Sequence, residues 1–495
     1  MLTPEQLKEI PDYFVGLYQD LEQFIIKDFA RRVGKAGSIT ETAEWQAIRA
    51  AEMGMALSDL EKEIKRVSEL AQSELDNLMI DVANASLKND AKLYEAAGEL
   101  APSLAKSDQL QNYVQAAIDQ TKGELFNMTQ SLGFARKING KIQYLLMSEY
   151  YHNVLDMAHF QVSTGVTDYL TATRNAVKKM CQSGLRWIDY ESGWANRVDV
   201  AARRAILTGV NQMSGKFNDQ VISDLNAEYA ETTAHSGARP SHADWQGRVF
   251  KIKGAEPGYP NLYTSTGLGT GPGLCGWNCR HNYYAFFPGI STPAYTAKEL
   301  KALDNPDFEY NGKNYTHYEA TQKQRQIETA MRQTKNELIG YDTLGDKEAF
   351  TTASIKIQRQ REFYKEFSNA AGLPYQNDRH QVLGFDKSIS QKSVWVNKKA
   401  QSYNNLIGVK TANGIEIKGV SKHFAERCVQ RDIEVSEVEN ALTDPLHIGT
   451  IKEKANGKSQ EFIGDKARVH VNPDNGNAIT AWKTSAKLRE KYAKR

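Results

Sequence analysis

The residues best suited to chemistry in this 495-residue chain form two groups, one central and one near the end. In the first, His235 and His242 bracket an Arg-Pro step, and Cys275, Cys279 and His281 follow in a glycine-rich stretch. Two thiolates and an imidazole could surround one ion, with His235 or His242 as fourth ligand. Zinc favours such a set of four soft or borderline donors. The spacing C-x3-C-x-H is not a standard zinc-finger spacing, and cysteines are often simply buried, so plain core packing stands beside a structural zinc. The glycines from Gly267 to Gly273 do not make a phosphate loop: no strand leads in, no lysine follows, and Pro272 removes a donor.

In the second group, His423 and Arg427 sit four apart on an expected helix, and Arg431 extends the row. In the hairpin that follows, Arg468 and His470 take one face and Val469 and Val471 the other, while Thr480 and Trp482 share a face of the partner strand. Should the polar face meet the helix, imidazoles, guanidinium groups and a hydroxyl converge. Cleavage of RNA without a metal needs a base for the 2′-OH, an acid for the leaving oxygen and cations for the phosphate. Histidine suits either proton task, and arginine suits the phosphate. From Lys466 onward eight basic residues face two acidic ones, a local field for a polyanion. A solvated helix face would carry His423 and Arg427 equally well. His447, beside Pro445, reads as a loop residue without a role, and Cys428 as a packed one.

Several elements must position these groups. Thr3 to Leu225 is rich in helix formers, and Leu17, Leu21, Phe24, Ile25, Phe29 and Val33 mark one buried stripe. Between Ala234 and Pro288 helical periodicity vanishes, and so long an irregular stretch is usually functional or cross-linked. Thr296 to Ala371 returns to helix, with the charged run Gln322 to Lys335 as a solvated face. Gly372 to Ile415 reads as a connector. Val420 to Leu442 gives one or two helices interrupted near Asp432, and Phe462 to Trp482 a β-hairpin turning at Pro473–Gly476. The expected fold is α+β multidomain. It has a mainly helical part over 1–230, a Cys/His-containing segment with following helices over 231–375, a linker over 376–404 and a small α+β unit over 405–495.

Composition sets outer bounds. Net charge is +2, with 40% hydrophobic and 25% charged residues, so no global polyanion signal exists and any nucleic-acid contact must be local. No signal peptide or long apolar run is visible, which predicts synthesis in the cytoplasm and no membrane partner. Four cysteines are too few and scattered for a disulfide framework.

The blocks His235–Gly247, Tyr263–Gly271 and Leu274–Asn282, together with Ala43–Gln46, Arg197–Thr208 and Lys323–Lys335, resemble the phage minor capsid protein 2 family over roughly residues 1 to 375. The resemblance implies a virion protein of the head–portal neighbourhood, related to the Mu F-type head morphogenesis proteins, with other head proteins as partners. The order Gly-x6-Ser-x-His-x3-Arg-x3-Arg from Gly414, then Val438–Pro445, then the hairpin ending Ile479–Trp482, resembles the barnase-EndoU-colicin-RelE nucleases, members of which recur as toxins on Mu F-type proteins. It implies His423 as general acid or base, Arg427 and Arg431 as phosphate holders and Thr480 as a supporting group; His470 is a further candidate. The alternatives are a tail that only binds RNA, DNA or a neighbouring head subunit, and an ADP-ribosyltransferase suggested by Ser265-Thr-Gly and Glu437-Val-Glu439. Helical spacing around Glu437 and Glu439 disfavours the last.

Overall fold

The computed structural model describes residues 2–36, 42–138, 141–163, 168–188, 195–454 and 457–493. Lys494 and Arg495, part of the basic tail, lie outside them.

The body is built from α1 (Asp12–Ala36), α2 (Thr42–Ala96), α3 (Asp108–Gln130), α4 (Tyr169–Ser183), α5 (Val198–Asp224), α6 (His317–Leu344) and α7 (Lys347–Ala370). In α1, Leu21, Ile25, Phe29 and Val33 are fully buried as their spacing predicts, while Leu17 and Phe24 lie half-buried at the edge of the stripe. A capping box of Thr316 and Glu319 starts α6, and Gly345, at φ +73°, ends it and turns the chain into α7, whose N-cap is Asp346. Where α1, α5 and α6 meet, Arg197 binds Glu22 at 2.9 Å and Asp199 at 3.2 Å, and Arg332 binds Asp199 at 2.8 Å. Burial alone would raise the Asp199 carboxyl, yet the two guanidinium groups hold it down to about 2. Removing one partner of such a network strands a buried charge, the costly way to break it.

The region expected to be mainly helical also holds a four-stranded antiparallel sheet of Leu132–Ile138, Lys141–Leu146, Arg186–Ile188 and Ala195–Arg197. Two of its strands are only three residues long, and the helix-rich composition around all four masked their local pattern.

The central segment folds on a three-stranded antiparallel sheet in which β1 (Tyr229–Thr232) lies between β2 (Val249–Lys251) and β3 (Tyr283–Phe286). It has its own small core of Ala230, Trp245, Phe250, Leu262, Leu274, Cys275 and Tyr283. Most other buried apolar residues among those described join one continuous core reaching from Leu2 to Ala481.

Residues 376–404, expected to connect, carry a sixteen-residue helix, α8 (Lys387–Ser402), capped by Asp386. Ile389 and Val396 are buried on it, and such i, i+7 spacing makes an apolar stripe too sparse to stand out among Ser, Lys and Asn. The tail is a six-stranded sheet with two helices on one face. Its strands are β4 (Gly419–Val420), β5 (His447–Ile448), β6 (Lys452–Lys454), β7 (Gly457–Ile463), β8 (Ala467–Val471) and β9 (Asn477–Lys483), ordered β4-β9-β8-β7-β5, with β6 also pairing with β7. The helices are α9 (Lys422–Gln430) and α10 (Val435–Thr443), interrupted at Asp432 as expected, where φ is +48°. A last helix, α11 (Ala486–Ala493), follows the sheet. The fold is therefore α+β with a helical body.

Candidate functional site

The central donors are held by α5 and the loops around β1 and β3. Asn211 of α5 donates to the Cys279 carbonyl, and Tyr283 donates to Gly215 O (3.0 Å) and Asp219 (2.6 Å). Gly273 packs on Gly267, where a Cβ would meet the Gly267 carbonyl oxygen at 2.0 Å, so the glycines are needed for close approach rather than for phosphate.

Three buried donors face one another: His242 Nδ1 and His281 Nδ1 are 3.4 Å apart, and Cys279 Sγ is 3.7 Å from each. A tetrahedral zinc, with Zn–N of about 2.0–2.1 Å and Zn–S of about 2.3 Å, spaces such donors by about 3.3–3.6 Å. The far side of each ring is fixed as well. His242 Nε2 lies 2.8 Å from Pro272 O, and His281 Nε2 lies 3.0 Å from Gln246 Oε1. With those nitrogens donating, both Nδ1 lone pairs turn inward, the outer-shell pattern of histidines that ligate metal. Burial lowers the pKa of both rings and raises that of the Cys279 thiol, so the imidazoles stay neutral and a thiolate there requires a cation. These residues fit three of the four positions of a tetrahedral zinc, which would supply folding energy by cross-linking the loop.

The other two expected ligands stand outside this triangle. Cys275, at φ +59°, directs its thiol to His281 O and Asn282 Oδ1, both at 3.8 Å. His235 stacks on His281 with ring centroids 4.2 Å apart, and its Nδ1 lies 3.1 Å from Arg280. Burial holds its pKa down, to about 4, with Arg280 adding to the effect. The sequence offered four or more candidate ligands; only the fold separates those facing inward from those that pack beside them.

In the tail, α9 covers the apolar face of the sheet: Phe424 and Cys428 are fully buried, as are Val469, Val471, Ala478 and Ala481. The polar face therefore turns away from the helix, and the expected convergence does not form. His423 is exposed and its side chain makes no hydrogen bond, ion pair or ring contact with the described residues. Arg427 binds Glu348 of α7 at 2.9 Å instead of reaching the sheet. Arg431 leaves their row because it is the C-cap, at φ −93° and ψ 3°. It rounds the sheet edge to the Ala481 carbonyl and lies over the Trp482 ring, 4.9 Å from its centroid.

What the fold assembles instead is the outer face of the sheet. Arg468 also lies 4.9 Å over Trp482, Thr480 stands opposite His470 in register, and His470 Nε2 is 3.3 Å from Glu461 Oε1. The other ring nitrogen of His470 is 3.4 Å from Ser459 Oγ. His470, Glu461 and Ser459 border a cleft of about 240 Å³ lined also by His447, Lys452 and Tyr492. His447, read as a loop residue, is on strand β5 with its ring stacked on Tyr492 at 4.2 Å. Burial lowers the pKa of His470, although Glu461 pulls the other way. Glu461 and Lys452 were not singled out by sequence; strict alternation with Ser459 along β7 was the available signal for Glu461. Glu437 and Glu439 are on helix α10, as their spacing indicated.

A mainly helical body, a Cys/His-containing centre and a small sheet-bearing tail describe an α+β protein of several parts. The family profile described as Phage minor capsid protein 2 matches residues 2–369, about three quarters of the chain, and the chain belongs to that family. A protein of Lactococcus phage LL-H named "Structural protein" is 24% identical over 204 residues, which is 40% of this chain and 51% of that protein. The chain thus spans about half the length of that curated relative. No solved structure matches. The family is one of minor capsid proteins of bacteriophages. No described helix is long and apolar enough to cross a membrane.

Proposed function

We propose that this minor capsid protein works near the portal, with its centre folded around one structural zinc, and that its tail, residues 405–495, is a metal-independent ribonuclease. The zinc ligands are His242, Cys279 and His281. The ribonuclease reading rests on the outer-face cleft, where two imidazoles, a carboxylate and a lysine meet.

Within that cleft, Glu461 accepts the Nε2 proton of His470 and so leaves Nδ1 as the base, the orienting logic of an acid–base dyad. His470 Nδ1 takes the 2′-OH proton, the 2′-oxygen bonds to phosphorus, and the P–O5′ bond breaks. His447 protonates the departing 5′-oxygen, leaving a 2′,3′-cyclic phosphate. Arg468 and Lys452 hold the phosphate oxygens as charge grows there. His423, Arg427 and Arg431 take no direct part.

Full-length protein incubated with labelled single-stranded RNA, in buffer free of divalent cations, is expected to yield cyclic-phosphate ends. His470→Ala and His447→Ala should each slow cleavage by roughly 10²-fold or more, while His423→Ala cleaves like wild type. Intact RNA that still binds would instead favour a tail that only holds nucleic acid. Intact, unbound RNA would favour contact with a neighbouring head subunit.

A further inference from the structure

Outside the tail, cations from five separate segments gather where the start of the chain meets α5, α6 and the turn after α7. Arg203 of α5 binds Asp12 at 2.9 Å and donates to Lys8 O at 2.7 Å. The Lys8 ammonium reaches Gln376 at 3.2 Å, and the Gln376 backbone N–H donates to the Tyr364 hydroxyl at 2.7 Å. That hydroxyl donates to Glu328 at 3.1 Å, and Glu328 is 4.0 Å from Arg379. Arg325 lies one turn before Glu328 on α6, within the charged run expected to be a plain solvated face. Arg280 comes in from the central loop, attached to His235.

The carboxylates nearby do not saturate these groups: Asp12 serves Arg203, Glu328 touches Arg379 only at the limit of an ion pair, and Glu9 and Glu5 act on Lys8 and Arg280 without pairing with them among the described residues. Among the described residues Arg325 makes no hydrogen bond or ion pair, and the one side-chain hydrogen bond of Arg280 is to an imidazole. The cations depress one another: the pKa values of Lys8, Arg203 and Arg325 are each lowered, first by burial and next, for Lys8 and Arg325, by the charge of Arg379. Like charges in a half-enclosed site are unfavourable unless an anion completes it.

We propose that Lys8, Arg203, Arg280, Arg325 and Arg379 form a cleft for the phosphate backbone of duplex DNA. Four of the five are arginine, whose planar fork matches phosphate oxygens in pairs, and a phage head encloses DNA. Neutralised phosphates release counterions, so affinity falls with salt by a log–log slope of about −0.9 per phosphate.

The test is binding of full-length protein to two fluorescent duplexes of unrelated sequence, followed by anisotropy from 50 to 200 mM salt. Arg325→Ala, which removes no hydrogen bond or ion pair among the described residues, is expected to weaken both duplexes several-fold alike and to flatten the salt slope by about 1. Arg379→Ala should do the same. Lys88→Ala, at an exposed position on α2, should leave duplex binding unchanged. The proposal is overturned if Arg325→Ala and Arg379→Ala bind as wild type does, or if Lys88→Ala weakens binding as much as they do. A circular dichroism spectrum matching wild type certifies each variant as folded.

Discussion

His380 shows how one side chain can set a pH limit. Its Nδ1 lies 3.3 Å from the Lys335 ammonium, which also donates to the His380 carbonyl at 2.6 Å, and its ring packs edge-on against Tyr364. Burial, then the charge of Lys335, with smaller effects of Arg361 and Arg332, hold its pKa at about 4. The folded ring stays neutral while the unfolded one protonates near 6.5, so its contribution is present above pH 6.5 and is lost as pH falls toward 4. Between pH 7.5 and 5 the protein should lose about 2 kcal/mol at this position alone. His380→Gln should shrink that part of the slope in urea unfolding at the two pH values; an unchanged slope refutes the assignment. The central ligands teach a related lesson about legibility. Residue types and spacing pointed to Cys275, Cys279, His281, His235 and His242, yet which nitrogen faces which sulfur depends on Pro272 O and Gln246 Oε1, contacts no local pattern encodes.

At the scale of elements, α6 crosses α4 at Gly340. A Cβ there would meet Val177 Cγ1 at 2.5 Å. Gly340→Ala gains about 1 kcal/mol of helix propensity but overpacks the crossing, at a cost of about 1–3 kcal/mol. A lower melting temperature is expected, and a higher one would show that the crossing yields freely. The stripe on α1 and the hairpin of β8 and β9 were legible because each repeats one period over several turns or pairs, and Gly476, at φ +69°, closes the hairpin turn. The error at α9 was one of sidedness. His423 and Arg427 do share a face, but Phe424 and Cys428 carry the apolar demand, and this demand aims the helix at the buried side of the sheet. Sequence gave the amphipathic halves without saying which half of each would meet.

At the scale of the whole molecule, the described residues form two cores of unequal size, the continuous one and the small one around Trp245 and Tyr283. Zinc would matter chiefly to the smaller. Purified protein should carry one zinc per chain by atomic emission, reduced in Cys279→Ser. Stripping it with a chelator should raise hydrogen exchange within residues 229–290 while α1 to α4 stay protected. Equal loosening of both cores would contradict this division, and so would none.

The continuous core has a further consequence, in time rather than in space. Glu22, near the start, accepts a hydrogen bond from Asn336 at 3.0 Å, Gln23 accepts one from the backbone of Gly384, and the same apolar mass runs on to Ala481. A ribosome adding roughly 5–20 residues per second needs about 25–100 s to complete such a chain. Throughout that interval the first helices are outside the tunnel with their final partners not yet made. Newborn copies must therefore wait with oily surfaces uncovered, and a head under construction must receive them after that wait has ended.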